Sequence, residues 1–89
     1  MDMRPMELKD TVEMMNSEDY KERMKAEYYQ AIIRHSKLKN ILRKYDEGTL
    51  SFVPITPIEI LRAQKGILAA YVHLLRERAR VEEIDLEVA

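Results

Sequence analysis

Apolar residues along this chain recur at helical spacing in two long blocks. In the first, Tyr20, Met24, Tyr28, Ala31, His35, Leu38, Leu42 and Tyr45 follow one another at steps of four or three, a seam of the heptad kind. Beside it run Tyr29, Ile32, Ile33 and Ile41, which widens the apolar face beyond what one partner helix covers. In the second block, Ile58, Leu61, Leu68, Val72, Leu75 and Ala79 form one stripe. Ile60, Gln64, Ile67, Tyr71, Leu74, Arg78 and Val81 form another next to it. These patterns predict an all-α fold with helices over about residues 18–47 and 57–83. One stripe per helix suffices for a hairpin, so the second implies a further packing surface and a helical-bundle homo-oligomer.

The boundaries carry their own signals. Asn16-Ser17-Glu18-Asp19 supplies a cap followed by acids that favour the positive end of the helix dipole, with Met15 and Tyr20 placed for a staple if Asn16 is the cap. Gly48 has the residue type that ends helices in a left-handed turn. Thr56-Pro57-Ile58-Glu59 reads as a capping box with proline at the first helical position, and Ile55 and Ile60 as its hydrophobic staple. Ahead of the long helices, Leu8, Val12 and Met15 predict a short amphipathic helix over residues 7–15, too short to persist undocked. Residues 1–6 lack periodicity and are expected to be flexible. Met6 can itself be a start, which would make residues 1–5 a leader or extension.

Two long helices of nearly equal length joined by one short proline-bearing connection predict an antiparallel hairpin within a single domain over residues 1–89. Pairing about Phe52 sets Leu42 near Arg62, Leu38 near Gly66, His35 near Ala69 and Tyr28 near Arg76. Phe52, Val53 and Ile55 would then fold down to plug the loop end of the core. Ala63, Gly66 and Ala70 lie on one flank, where small residues let another backbone approach; Gly66 costs about 1 kcal/mol relative to alanine inside a helix.

Composition narrows the class. The chain has 89 residues and no cysteine, so neither a disulfide nor a thiolate metal site is available to stabilise a small core. With 46% apolar and 35% charged residues it reads as helix-rich rather than disordered. No stretch is long and apolar enough for a membrane span, and no basic region followed by an apolar core opens the chain, so a soluble cytoplasmic protein is expected. The formal net charge is −1, but Arg34, Lys37, Lys39, Arg43 and Lys44 fall within one acid-free stretch. The pairing above adds Arg62 and Lys65 to that half of the hairpin. Arg76, Arg78 and Arg80 face Asp19, Glu22 and Glu27 at the other end, where ion pairs are expected.

Candidate chemistry is sparse. The basic half with nearby tyrosines can hold phosphates, although a solvated helix face accounts for the same residues. Duplex nucleic acid fits poorly with an acidic balance and no recognition helix. His35 is expected as a packed core histidine opposite Ala69 and Ala70, and His73 lies on a polar side with no ligating neighbour at helical spacing, so no metal is expected. No nucleophile arrangement or glycine-rich phosphate loop occurs, so neither catalysis nor a cofactor is expected. Gln64, Tyr71 and Arg78 recur every seven residues within an apolar stripe. They read as register-fixing polar residues at a seam between subunits, or as the walls of a polar pocket there. Tyr28 and Tyr29 read as core, and as stacking residues if a pocket opens beside them. The candidate ligand-binding residues are Arg34, Lys37, Arg62, Lys65, Tyr71 and Arg78, with the region between the loop tip and the basic cluster as the first place to look.

The run MELKDTVEMMNSEDYKERMKAEYYQ, then KLKNIL, an aromatic-proline turn and Leu61, Gln64, Tyr71, Leu75 and Arg78 resemble small helical-hairpin proteins of bacteriophages and prophages of gut bacteria, including relatives named after crAss-like phages. The resemblance covers about residues 6–82 and implies a phage accessory protein of the host cytosol. Such proteins are often counter-defence factors. That implies either sequestration of a cyclic nucleotide or other small anion between helical subunits, or inhibition of a host protein through the helical face. A role in phage assembly is the third implication.

Overall fold

The computed structural model describes residues 6–86, so the expectations for residues 1–5 lie outside the described residues. A 3₁₀ turn over Leu8–Thr11 leads into α1 (Val12–Met15), followed by α2 (Tyr20–Glu47) and α3 (Ile58–Val81). The chain is all-helical with a short N-terminal helix ahead of two long ones, as the apolar periodicity predicts.

The sequence start signal of α2 is displaced. The cap is Asp19, whose carboxylate accepts from the Lys21 amide at 2.9 Å, rather than Asn16 or Ser17. Ser17 instead turns the chain in: its hydroxyl accepts from the Asp19 amide at 3.0 Å. The Arg23 guanidinium holds the Ser17 and Glu18 carbonyls at 2.8 and 2.9 Å. With the cap moved, Met15 and Tyr20 are both exposed and no staple forms. At the other end Gly48 adopts φ 75°, its amide donating to the Tyr45 carbonyl and that of Thr49 to the Lys44 carbonyl. This pair of bonds is a Schellman closure, and the left-handed φ is why glycine occupies the position.

The start of α3 departs further from expectation. Pro57 is extended, at φ −53° and ψ 139°, and acts as the cap position itself; its carbonyl accepts from the Ile60 and Leu61 amides. The Thr56–Glu59 box and the Ile55–Ile60 staple therefore do not form. Phe52, Val53 and Ile55 point outward, Ile55 fully exposed, so the loop end carries no apolar plug. The connection bends at residues 51–52 and 55–56, and Pro54 and Pro57 fix their own φ between and after these bends.

The core lies at the open end of the hairpin. Met24, Tyr28, Tyr29 and Ala31 of α2 meet Val72, Leu75 and Ala79 of α3, and Ile84 closes over them. Tyr28 and Leu75 are fully buried. The hydroxyl of Tyr28 accepts from Arg76 Nε at 2.9 Å, while the guanidinium also lies 5.7 Å from the ring centroid, the pairing the hairpin register predicts. Toward the loop, Leu38 and Leu42 remain buried, but Ile58, Leu61 and Leu68 are half-buried. His35 is half-buried and Ala69 and Ala70 are exposed, so the expected core histidine is absent from the closely packed region.

The described segments before α2 and after α3 both pack on this core. Glu83 takes a left-handed φ of 56°, and the Ile84 amide donates to the Ala79 carbonyl at 2.8 Å, a second Schellman closure that swings Ile84 inward. At the N-terminus, the Glu7 amide donates to the Asp10 carboxylate at 2.9 Å, fixing the 3₁₀ turn. Tighter winding there shifts the phase of the segment. Thr11 and Met14 dock, whereas Val12 and Met15 of the expected apolar line are exposed. Thr11 is fully buried; its hydroxyl donates to the Leu8 carbonyl at 2.7 Å and accepts from Gln30 Nε2 at 2.9 Å.

Candidate functional site

Three regions of the surface concentrate the candidate residues. The first is a cleft on α2. Residues at i, i+3, i+4, i+7 and i+8 share one face of a helix, and Tyr29, Ile32, Ile33, Ser36 and Lys37 have this spacing. Together with Met6 and Glu7 they line a cavity of about 520 Å³, a size suited to a small organic ligand. No α3 residue lines it. Tyr29 packs tilted against Tyr28 with ring centroids 5.7 Å apart, so it presents a rigid aromatic wall. Ile32 and Ile33 extend the apolar lining, and the exposed Lys37 places a cation at its edge.

The second region is a groove between the loop-proximal halves of α2 and α3, about 430 Å³, lined by Lys39, Leu42, Arg43, Asp46, Glu47, Arg62 and Lys65. Its four cations face two carboxylates. Arg62 forks onto Asp46 with nitrogen–oxygen distances of 2.6 and 3.2 Å, and Arg43 reaches Glu47 at 3.1 Å. The bond from Arg62 holds the Asp46 carboxyl below the usual carboxylate range and, reciprocally, raises the guanidinium. Arg62 and Arg43 are thus partly compensated within the chain, leaving Lys39 and Lys65 as the cations an incoming anion would meet.

The third region is the outer stripe of α3. The Tyr71 hydroxyl donates to the Glu27 carboxylate. Arg78 donates to the Tyr20 hydroxyl at 2.8 Å and to Glu82 at 3.4 Å, while Tyr20 in turn donates to Glu82. This triad raises the Arg78 guanidinium, chiefly through Tyr20, and holds the Glu82 carboxyl low, again chiefly through the bond from Tyr20. Arg80 pairs with Glu77 at 2.9 Å, lowering that carboxyl. The expected ion pairs of Arg76, Arg78 and Arg80 with Asp19, Glu22 and Glu27 are replaced by these: Arg76 goes to the Tyr28 hydroxyl, Arg78 to Tyr20 of α2 and to Glu82 just past the end of α3, and Arg80 to Glu77 within α3. Glu77 lies three residues before Arg80 and Glu82 four after Arg78, within one helical turn in each case.

The six candidate residues are therefore not brought to one place. Lys37 stands at the α2 cleft, Arg62 and Lys65 at the loop-end groove, and Tyr71 and Arg78 on the outer stripe of α3. Arg34 is exposed on α2 and lines neither cavity. Sequence reasoning missed Ile32, Ile33 and Ser36 as cavity residues. The available signal was the helical spacing from Tyr29 to Lys37, which joins an aromatic, two isoleucines and a cation on one face.

Among the described residues no group of histidine, cysteine or acidic side chains could hold a metal ion, and no helix is long and apolar enough to cross a membrane. Searches of curated proteins and of solved structures found no match to this chain. A protein-family model described as Sequestin matches residues 18–81, which takes in all of α2 and α3 and most of the chain, and the protein belongs to the Sequestin family.

Proposed function

We propose that this protein is a non-enzymatic binder that sequesters a nucleotide-type signalling molecule, with the base in the α2 cleft and a phosphate on Lys37. The observation that carries this reading is the cleft itself. Its aromatic and aliphatic walls suit a planar heterocycle and its edge bears a lysine, the two chemistries a nucleotide needs. The loop-end groove, with Arg62 and Lys65, adds a second anion-attracting surface, and Arg34 contributes to the positive field of the same helix. The family's name is consistent with sequestration, and the resemblance to phage accessory proteins supports counter-defence in a bacterial host as the setting.

Thermal unfolding in the presence of cyclic dinucleotides, cyclic mononucleotides, linear adenine nucleotides and inorganic phosphate tests the reading. A ligand at a hundredfold excess over its Kd stabilises by about 2.7 kcal/mol, which raises the melting temperature of a domain this small by roughly 10 °C or more. Stabilisation by a nucleotide and not by phosphate, removed by Lys37→Glu, is the expected result. No shift with any member of the panel refutes it.

A second reading is favoured by the outward-pointing Phe52, Val53 and Ile55, an apolar loop tip of the kind that inserts into a protein partner. It predicts an inhibitor of a host protein. Capture of one specific partner that Val53→Asp abolishes, with indifference to nucleotides, would separate it from sequestration.

A further inference from the structure

From the outer stripe of α3 we infer that a second copy of this chain docks there, antiparallel, about a two-fold axis at Ala70. The inference does not rest on the nucleotide reading, because the α2 cleft has no α3 residue in its lining.

Four apolar residues repeat every seven along this stripe, and all are open to solvent: Ile60 57%, Ile67 70%, Leu74 61% and Val81 71% exposed. Gln64, Tyr71 and Arg78 fall between them, so the steps alternate four and three over three heptads. That is the seam spacing of a coiled coil, with no helix of the described chain covering it. A row of exposed large aliphatic side chains at fixed heptad spacing is a liability unless something covers it.

Gly66 indicates how closely. It sits mid-helix, where glycine is unfavourable, and a Cβ there would meet nothing within 4 Å. Nothing among the described residues therefore accounts for the glycine. With the axis at Ala70, Leu74 of one copy falls level with Gly66 of the other, so a large side chain lands over an open backbone. Ala63 and Ala70 continue this low flank and permit close helix approach.

Charge selects the direction. A parallel pairing would place Arg78 against Arg78, Arg80 against Arg80 and Glu59 against Glu59 of the second copy. The antiparallel arrangement instead brings Glu59 beside Arg80 and sets Arg78 at the opposite end from its own copy. One pair of opposite charges thus meets and Arg78 and Glu59 are kept from their own copies, while Arg62, already forked onto Asp46, comes level with Arg78. Tyr71 and Arg78 keep the intrachain bonds to Glu27, Tyr20 and Glu82, so their polar atoms enter the seam already partnered.

Light scattering on the full chain, run at high micromolar concentration without nucleotide, reads the mass. The expected value is twice the 10.6 kDa chain, falling to the single-chain mass in Ile67→Glu and Leu74→Glu with the helical circular dichroism retained, since both side chains are exposed within the chain. The absence of native cysteine lets single thiols report register. Ala70→Cys should form an intermolecular disulfide on oxidation. Ala63→Cys should not, because antiparallel pairing separates its two copies by about 21 Å along the helices, against the roughly 7 Å that a disulfide spans between Cα atoms. A monomeric wild-type chain overturns the proposal and leaves the seam to a different partner. A dimer in which Ala63→Cys cross-links as readily as Ala70→Cys overturns the antiparallel axis.

Discussion

Replacing Tyr28 tests where this small fold keeps its stability. The ring is fully buried between α2 and α3 among Met24, Val72 and Leu75, and its hydroxyl accepts from Arg76 Nε at 2.9 Å. Tyr28→Ala deletes the ring and leaves a cavity, which costs about 3–5 kcal/mol for an aromatic of this size. Tyr28→Phe keeps the packing and the guanidinium–ring contact but removes one hydrogen bond, about 1 kcal/mol. A chain of this length has a total stability of about 4–13 kcal/mol. The alanine variant should therefore lose about a quarter or more of it, and the phenylalanine variant should melt only about 4–8 °C lower. Urea denaturation followed by far-ultraviolet circular dichroism, at one fixed protein concentration, gives both values. Adding Arg76→Met to the Tyr28→Phe chain should cost less than Arg76→Met alone, because the bond is already gone. If Tyr28→Phe costs as much as Tyr28→Ala, or if Tyr28→Ala costs less than about 1 kcal/mol, the core is not at the open end of the hairpin and the packing argument fails.

The two helix ends with left-handed residues should respond oppositely to substitution. Gly48→Ala should destabilise by about 1 kcal/mol and Glu83→Gly should stabilise by a similar amount, both read from urea midpoints with unchanged slope. Ile55→Ala, at a fully exposed loop position, should stay within about 0.5 kcal/mol of wild type; a larger loss in the same urea titration would mean the loop tip is packed after all. Asp46 and Glu82 carry carboxyls held below their ordinary range by Arg62 and Tyr20 respectively. The stability they contribute is present above the unfolded-state values of about 3.9 and 4.3 and disappears as pH falls through the lower folded ones. Melting temperature should therefore drop on acidification below about pH 4. The Asp46→Asn, Glu82→Gln double variant should show a shallower drop, and an unchanged acid slope would refute the assignment.

Periodicity made the helices and their pairing legible, because apolar residues at steps of four and three mark the face a helix turns toward its partner, even though Tyr20 and Tyr45 at the ends of that seam stay exposed. Gly48 was equally readable, since few residues accept its backbone angles. The failures have local causes. Asp19 displaced Asn16 as cap because Ser17 and Arg23 together satisfy the turn before it, a three-residue arrangement that no single position announces. Pro57 stayed extended, so a near-complete capping box at Thr56–Glu59 did not close. Thr11 was overlooked as a core residue because the 3₁₀ turn alters the phase of the segment. At the candidate site, charge counting found Lys37 but not the cavity beside it. The spacing from Tyr29 to Lys37 encodes the α2 wall of the cleft, but not that Met6 and Glu7 complete its lining. Tyr71 and Arg78 were correctly placed on a second stripe of α3, but their bonds to Glu27 and Tyr20 come from the neighbouring helix.

Isothermal titration of a cyclic dinucleotide, and in parallel a linear adenine nucleotide, into the wild-type and Lys37→Glu proteins measures sequestration most directly. The α2 cleft is lined by one chain, so the expected result is saturable heat with one nucleotide bound per chain, weakened at least tenfold by Lys37→Glu while the melting temperature of the unliganded protein is unchanged. Absence of heat with either nucleotide, or equal affinity in the two proteins, contradicts it.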